Sequence, residues 1–247
     1  MKILLTATVT PQAMRVLHLR DPAERREQYV ESLRRWMPIA RAHGATVVLY
    51  ENSDEDLEAL AEDALGSVPE DLHLRPAPVP DATLVALGKG ATEAAMMDAF
   101  AATYFDDPPG EVWVKCTGRL VVRNFDRCLP PSLPACAFAA RLSMDLGHMD
   151  TRFFAATAAA WRDHLVGAGA EVDGARDVLL EHVLARRVLT GLGAGATLMR
   201  LRAQPDVLGR SASHAERRYD SARSRLQRLV TERIEWALRG PLRGKHF

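Results

Sequence analysis

Short apolar runs alternate with amphipathic stretches over the first half of the chain. Residues 3–9 (ILLTATV) form an apolar run of strand length, the pattern of a strand buried on both faces. Asp21, Pro22 and Glu24 then combine an N-cap, a proline at the first helical position and a capping-box acid. Tyr29, Leu33, Trp36, Met37 and Ala40 follow at helical spacing, and Gly44 suits the C-terminal cap. Residues 47–50 read as a second strand, and this β-α-β order implies a parallel pair joined by a right-handed crossover. The pattern next predicts a helix opened by Ser53 and ending near residue 65, a Pro-rich loop over 76–80, a helix over 92–105 and a strand over 112–116. Beyond Pro134 it predicts helices over 152–164 and 178–189, a strand over 197–201 and a basic amphipathic helix over 214–239. The fold class expected is α/β: a single Rossmann-like domain over residues 1–208 with a mainly parallel sheet flanked by helices, and a basic helical segment over 209–247 packed on it.

Composition narrows the classes without choosing one. With 247 residues, 47% of them hydrophobic, the chain has material for one sizeable core. Acidic and basic residues balance at 32 each, so no overall charge excess points to nucleic acid as a partner. The charge is uneven, however: residues 209–247 hold ten basic and four acidic side chains, a net +6 that leaves residues 1–208 at −6. Three cysteines, Cys116, Cys128 and Cys136, without CxxC spacing read as free thiols in a reducing compartment, and a cytoplasmic location is expected. The opening MKILLTATV is read as a first strand rather than a signal peptide, and no stretch approaches the ~18 apolar residues of a membrane span.

Five segments carry candidate chemistry. In VVLYENSDED, Glu51 and Asn52 follow a buried strand at the carboxyl end where open α/β sheets bind ligands, and could hold a ribose or base. The same residue types serve a helix start. LGKGATEA sets Lys89 between glycines ahead of a helix, where backbone N–H groups and an ammonium attract phosphate, although GxxxxGK[ST] spacing is absent and a solvated loop lysine is the default reading. In VWVKCTGRLVV, Lys115 and Arg119 bracket Thr117 and Gly118; two cations beside a glycine match phosphate oxygens, or else decorate a hairpin turn. HMDTRFF offers Asp150 and Arg152 as polar site residues or as a helix-capping pair. LLEHVLARR sets Glu181 beside His182, a carboxylate suited to general-base work if it faces a cleft.

Taken in chain order, ENSDED, GKGATEAAMMDAF, Lys115–Thr117–Gly118–Arg119 and LEHVLARRV resemble GT-A-type glycosyltransferases, and more closely a bacterial group associated with surface polysaccharide synthesis. ENSDED is similar to the Asp-x-x-Ser-x-Asp segment after the second strand of such enzymes, and LEHVLARRV to their Glu-Asp-x-x-Leu-x-x-Arg segment, with His182 in the aspartate's place. The closer group shares a Lys-x-Thr-Gly-Arg run, a segment like MDTRFF, and a Gly-x-Ser segment matched by Gly209 and Ser211. No Asp-x-Asp motif follows the third major strand; the Lys-x-Thr-Gly-Arg run stands there instead.

The resemblance implies a GT-A-like domain that moves a sugar from a nucleotide-sugar donor to a hydroxyl of a glycan or lipid-linked acceptor, with inversion. Catalysis falls to Glu181 as base and Arg119 as charge stabiliser; Thr8, Glu51, Asn52, Lys89, Lys115 and Gly118 fall on the donor side, and Asp150, Arg152 and His182 on the acceptor side. No cofactor, no divalent metal and no nucleic-acid partner are expected; the basic terminal helix is a candidate for peripheral contact with an anionic membrane, with a solvated basic face as the plainer reading. Two rivals are a nucleotidyltransferase acting on a sugar phosphate, recognised by pyrophosphate release, and a non-catalytic module that binds polyanions through its basic tail.

Overall fold

The computed structural model describes residues 1–12, 18–210, 219 and 233. Its centre is a seven-stranded sheet in the order β3-β2-β1-β4-β7-β6-β8. The strands are β1 Lys2–Ala7, β2 Thr46–Glu51, β3 Leu72–Pro76, β4 Val112–Thr117, β6 Ala137–Ala140, β7 Phe153–Thr157 and β8 Thr197–Arg200; β5 Val121–Val122 and β9 Val207–Leu208 form a separate antiparallel pair. β1, β2, β3 and β4 are mutually parallel, β7 is antiparallel to both β4 and β6, and β8 is parallel to β6.

Strand periodicity divides the core in two. Ile3, Leu5, Val47, Leu49, Val114 and Cys116 pack on one face, and Leu4, Val48, Tyr50 and Trp113 on the other. The first face is covered by α1 Pro22–Ala42 and α2 Leu57–Leu65. On the second lie the helices α3 Ala82–Ala86, α4 Lys89–Thr103 and α7 Leu180–Gly193; α5 Phe125–Cys128 joins the first face, and α6 Ala158–Ala160 opens a π-helical turn on the second. The start of α1 is as read from the sequence: the Asp21 carboxylate accepts from Ala23 N at 2.9 Å, Pro22 opens the helix, and Gly44 at φ +57° follows its end. Tyr29, Leu33, Trp36, Met37 and Ala40 are all buried, and Trp36 Nε1 donates to Leu120 O at 2.8 Å.

Several expectations are corrected. The helix read as starting at Ser53 begins at Leu57, because Asp56 rather than Ser53 accepts from Ala59 N. The predicted helix over 152–164 is the β7 strand followed by a short helical turn. β7 is buried on both faces, Phe153 and Ala155 in one core layer and Phe154 and Ala156 in the other, so no alternation marks it, while its alanines favour helix by local propensity. β3 and β6 stand where the sequence pattern predicts no strand, and AFAA in β6, buried throughout, lacks alternation for the same reason. The helix expected over 214–239, with its membrane contact, and Ser211 lie outside the described residues. No helix among the described residues is long and apolar enough to cross a membrane, and all three cysteines are free thiols. Burial pushes the Cys116 thiol up to about 12, which keeps it inert.

Candidate functional site

The carboxyl ends of β1, β2 and β4, together with the start of the antiparallel β7, lie along one sheet edge. A cleft of 220 Å³ opens there, walled by Thr8, Asn52, Arg25, Lys89, Thr92 and the Val79–Pro80 loop. Its polar groups are pre-arranged. Thr8 Oγ1 donates to Asn52 Oδ1 at 2.6 Å, which leaves the Asn52 Nδ2 donors without a partner among the described residues. The Thr8 carbonyl accepts from Arg25 Nε at 2.7 Å and from Arg25 Nη2, so the buried Arg25 braces the wall from behind. Lys89, the first residue of α4, is exposed at the cleft and forms no ion pair with a described residue, and α4 begins with no side-chain cap on its first N–H groups. The structure brings Thr8, Asn52 and Lys89 to one cleft, together with Arg25 and Thr92. In the sequence Arg25 reads as a residue in the first turn of α1, and nothing in its spacing marks it.

Glu51 has a different task from the nucleoside contact expected of it. It is 2% exposed, and its carboxylate accepts from Val9 N at 3.0 Å, Ser53 N at 2.8 Å and Glu55 N at 3.2 Å, and also from Ser53 Oγ. Both oxygens are therefore engaged in tying the loop after β1 to the loop after β2. Glu51 shapes the cleft that Thr8 and Asn52 line.

Lys115 is also corrected as a direct phosphate contact. The side chain is wholly buried, paired with Glu93 of α4, and donates to Thr151 O at 2.6 Å and Thr117 Oγ1 at 3.3 Å. Burial pushes the Glu93 carboxyl up, but Lys115 and then Lys89 outweigh it and hold Glu93 below its ordinary value, so the pair is ionic. Glu93 was missed in the sequence because GATEA reads as an unremarkable helical stretch. Only the packing of α4 on β4 reveals its partner.

Arg119 keeps an open hydrogen-bonding capacity. It is 5% exposed; Nη1 donates to Gln28 Oε1 at 3.1 Å and Arg210 O at 3.3 Å, while Nε is buried with no partner among the described residues. An orphaned guanidinium donor inside a protein costs about 1–3 kcal/mol, which a bound anion would relieve. Its placement depends on the β5–β9 pair: Asn124 accepts from Asp206 N at 2.7 Å and donates to Gln204 O at 2.9 Å, which brings Gly209 and Arg210 against Arg119. The neighbouring Gly118, expected to admit a ligand, instead admits strand β1. Its N–H donates to Thr6 O at 2.8 Å, and a Cβ there would lie 2.7 Å from that same oxygen. Gly118→Ala is expected to cost about 1–3 kcal/mol by overpacking against immovable backbone, read as a fall in melting temperature.

The remaining candidates gather where β7 meets α7. Arg152 donates to Asp150 through Nε at 2.8 Å and Nη2 at 2.6 Å, and its guanidinium stacks 4.7 Å from the Tyr219 ring centre. Burial pushes the Asp150 carboxyl up, and the hydrogen bonds from Arg152 outweigh it, leaving Asp150 below its ordinary value. Asp150 and Arg152 therefore form a fixed ion pair at the head of a strand rather than a helix-capping pair. Glu181, in the first turn of α7, accepts from Thr151 Oγ1 at 3.1 Å through Oε1, and Oε2 makes no hydrogen bond to a described residue. His182 Nε2 lies 2.7 Å from His148 Nε2, and its Nδ1 accepts from Leu179 N at 3.3 Å, so this histidine belongs to the rim. Among the described residues no group of three His, Cys, Asp or Glu side chains is placed to hold a metal ion.

No family model matches the chain, and no curated protein matches its sequence. Among solved structures, a protein assigned as a nucleotide-diphospho-sugar transferase from Desulfovibrio desulfuricans G20 is similar over 81% of this chain and 78% of its own, at 12% identity and a TM-score of 0.47. The galactosyltransferase LgtC in complex with donor and acceptor sugar analogs is similar over 80% of this chain and 72% of its own, at 11% identity and a TM-score of 0.45. Mouse xyloside xylosyltransferase 1 is similar over 81% and 84%, at 11% identity and a TM-score of 0.37. At these scores the likenesses assign no residue a role.

Proposed function

We propose that this chain is a glycosyltransferase that moves a sugar from a nucleotide-sugar donor to a hydroxyl of a glycan or lipid-linked acceptor. The observation that carries the reading is the preformed polar cleft at the strand ends, lined by Thr8, Asn52 and Lys89; Arg119, whose buried Nε has no partner among the described residues, follows β4 and lines a separate cavity with Gln28 and Gly209. The nucleoside sits in the cleft against Thr8 and Asn52, with Lys89 and the start of α4 toward its phosphates. In an inverting displacement the acceptor oxygen bonds to the anomeric carbon as the bond from that carbon to the phosphate oxygen breaks. The hydroxyl proton passes to Glu181, and the electron pair leaves with the nucleoside phosphate. Arg119 and Lys89 stabilise the charge that builds there. The Asp150–Arg152 pair and His182 border the acceptor side.

A reaction without a divalent ion is part of the proposal, with Lys89 at the cleft and Arg119 as the fixed cations. Fixed cations attract the same phosphates a metal would bridge, and they repel a metal at close range. The experiment is a thermal-shift screen of nucleoside diphosphates and CMP, repeated in excess EDTA. One nucleotide is expected to raise the melting temperature in both conditions, and transfer from the corresponding nucleotide sugar is expected to continue in EDTA. Loss of turnover in EDTA with recovery on adding manganese or magnesium would overturn the metal-independent mechanism. Pyrophosphate release from a nucleoside triphosphate and a sugar phosphate would make the chain a nucleotidyltransferase instead.

A further inference from the structure

Lys115 is placed in a strand at a position where an apolar side chain would be the inexpensive choice. Its neighbour across the sheet face is α4, its own strand contributes Trp113 to the same core, and its side chain is fully enclosed. A buried ion pair such as Glu93–Lys115 is commonly no more stabilising than apolar residues of similar volume. What the pair does is positional. An ammonium has three N–H donors, and Lys115 directs them to Glu93, to Thr117 Oγ1 and to the Thr151 carbonyl.

That carbonyl lies just beyond the sheet ladder. The β4–β7 register ends with Cys116 opposite Phe153, and the last backbone bond across the pair runs from Thr117 N to Arg152 O at 3.0 Å. One residue further, Thr151 has left the ladder, and the Lys115 ammonium takes over the acceptor that a neighbouring strand would otherwise satisfy. With its carbonyl held, Thr151 is 5% exposed and presents its hydroxyl to Glu181 Oε1 at 3.1 Å. On the other side, Met149 N donates to Glu181 O at 3.0 Å, so the backbone of the same hairpin arm also fastens the start of α7.

We infer that Thr151 is a positioning residue for Glu181, and that the buried Glu93–Lys115 pair holds Thr151 in register for that task. The inference rests on the proposed role of Glu181 as base. Thr151 anchors Oε1 and leaves Oε2 as the oxygen that takes the acceptor proton. Glu93 and Lys115 act one step further back, without touching substrate.

The test uses Thr151→Val, which keeps the shape and removes the hydroxyl, and Thr151→Ser, which keeps the hydroxyl. With an identified donor and acceptor, Thr151→Val is expected to lower kcat about tenfold or more while nucleotide affinity stays within about twofold; Thr151→Ser is expected to stay within about threefold of the parent. Wild-type kcat in Thr151→Val, or equal impairment of Thr151→Ser, would overturn the inference. A Glu93→Leu/Lys115→Met double variant replaces the pair with apolar volume and is expected to fold, with kcat lowered as in Thr151→Val. A folded double variant with parental kcat would remove the pair from the account. If Glu181→Gln abolishes turnover while Thr151→Val does not, the positioning claim alone fails; if Glu181→Gln is fully active, the reading of Glu181 fails with it.

Discussion

Arg119→Ala is expected to lower kcat/KM by about 2–4 kcal/mol of transition-state stabilisation, roughly 30- to 1,000-fold, the scale on which single charge-stabilising donors act. The guanidinium is enclosed, so its field is poorly screened by solvent, and its unpartnered Nε leaves a donor for an anion. Arg119→Lys keeps a charge but loses the planar fork, so it is expected to recover only part of the loss. Removal of the side chain also frees Gln28 and the Arg210 carbonyl, so the kinetics are read beside a melting curve. A folded Arg119→Ala protein with parental kcat/KM would show that the leaving phosphate is stabilised elsewhere.

Glu181→Gln is expected to lower kcat by about 100-fold or more with nucleotide affinity nearly intact, the separation that distinguishes a base from a donor contact. The geometry supports the separation. Glu181 lies at the start of α7 on Thr151, whereas the cleft that would hold the nucleotide is built from the ends of β1 and β2 and the start of α4. Glutamine preserves the acceptor for the Thr151 hydroxyl and removes the carboxylate's ability to take a proton. Normal turnover in this variant would place the base at another residue.

Which parts of this architecture could be read from the chain follows from how local each signal is. The β1-α1-β2 unit was legible because Asp21, Pro22, the Tyr29-to-Ala40 stripe and Gly44 are all contiguous, and each reports a local preference that the fold keeps. The Thr8, Asn52 and Lys89 grouping was legible as far as the rule that ligands gather at strand carboxyl ends could reach. Roles were harder. Glu51 and Asn52 are adjacent in the chain, yet one ties two loops together and the other lines the cleft. Alternation along a strand turns neighbouring side chains to opposite sides, but only the packed loops decide which side is solvent.

By itself, then, the sequence determined an α/β fold, and it offered the strand ends, with Arg119 and Glu181, as the site to test. The tertiary structure decided the rest. It turned residues 153–157 into a strand, because pairing with β4 and β6 and burial of both faces outweigh the helical propensity of an alanine-rich segment. It also withdrew Lys115 from the surface, by placing Glu93 of α4 against it across 22 positions of chain. Local propensity and periodicity reach a few residues either way. A buried charge finds its partner through packing between elements, and that information is spread over the whole chain.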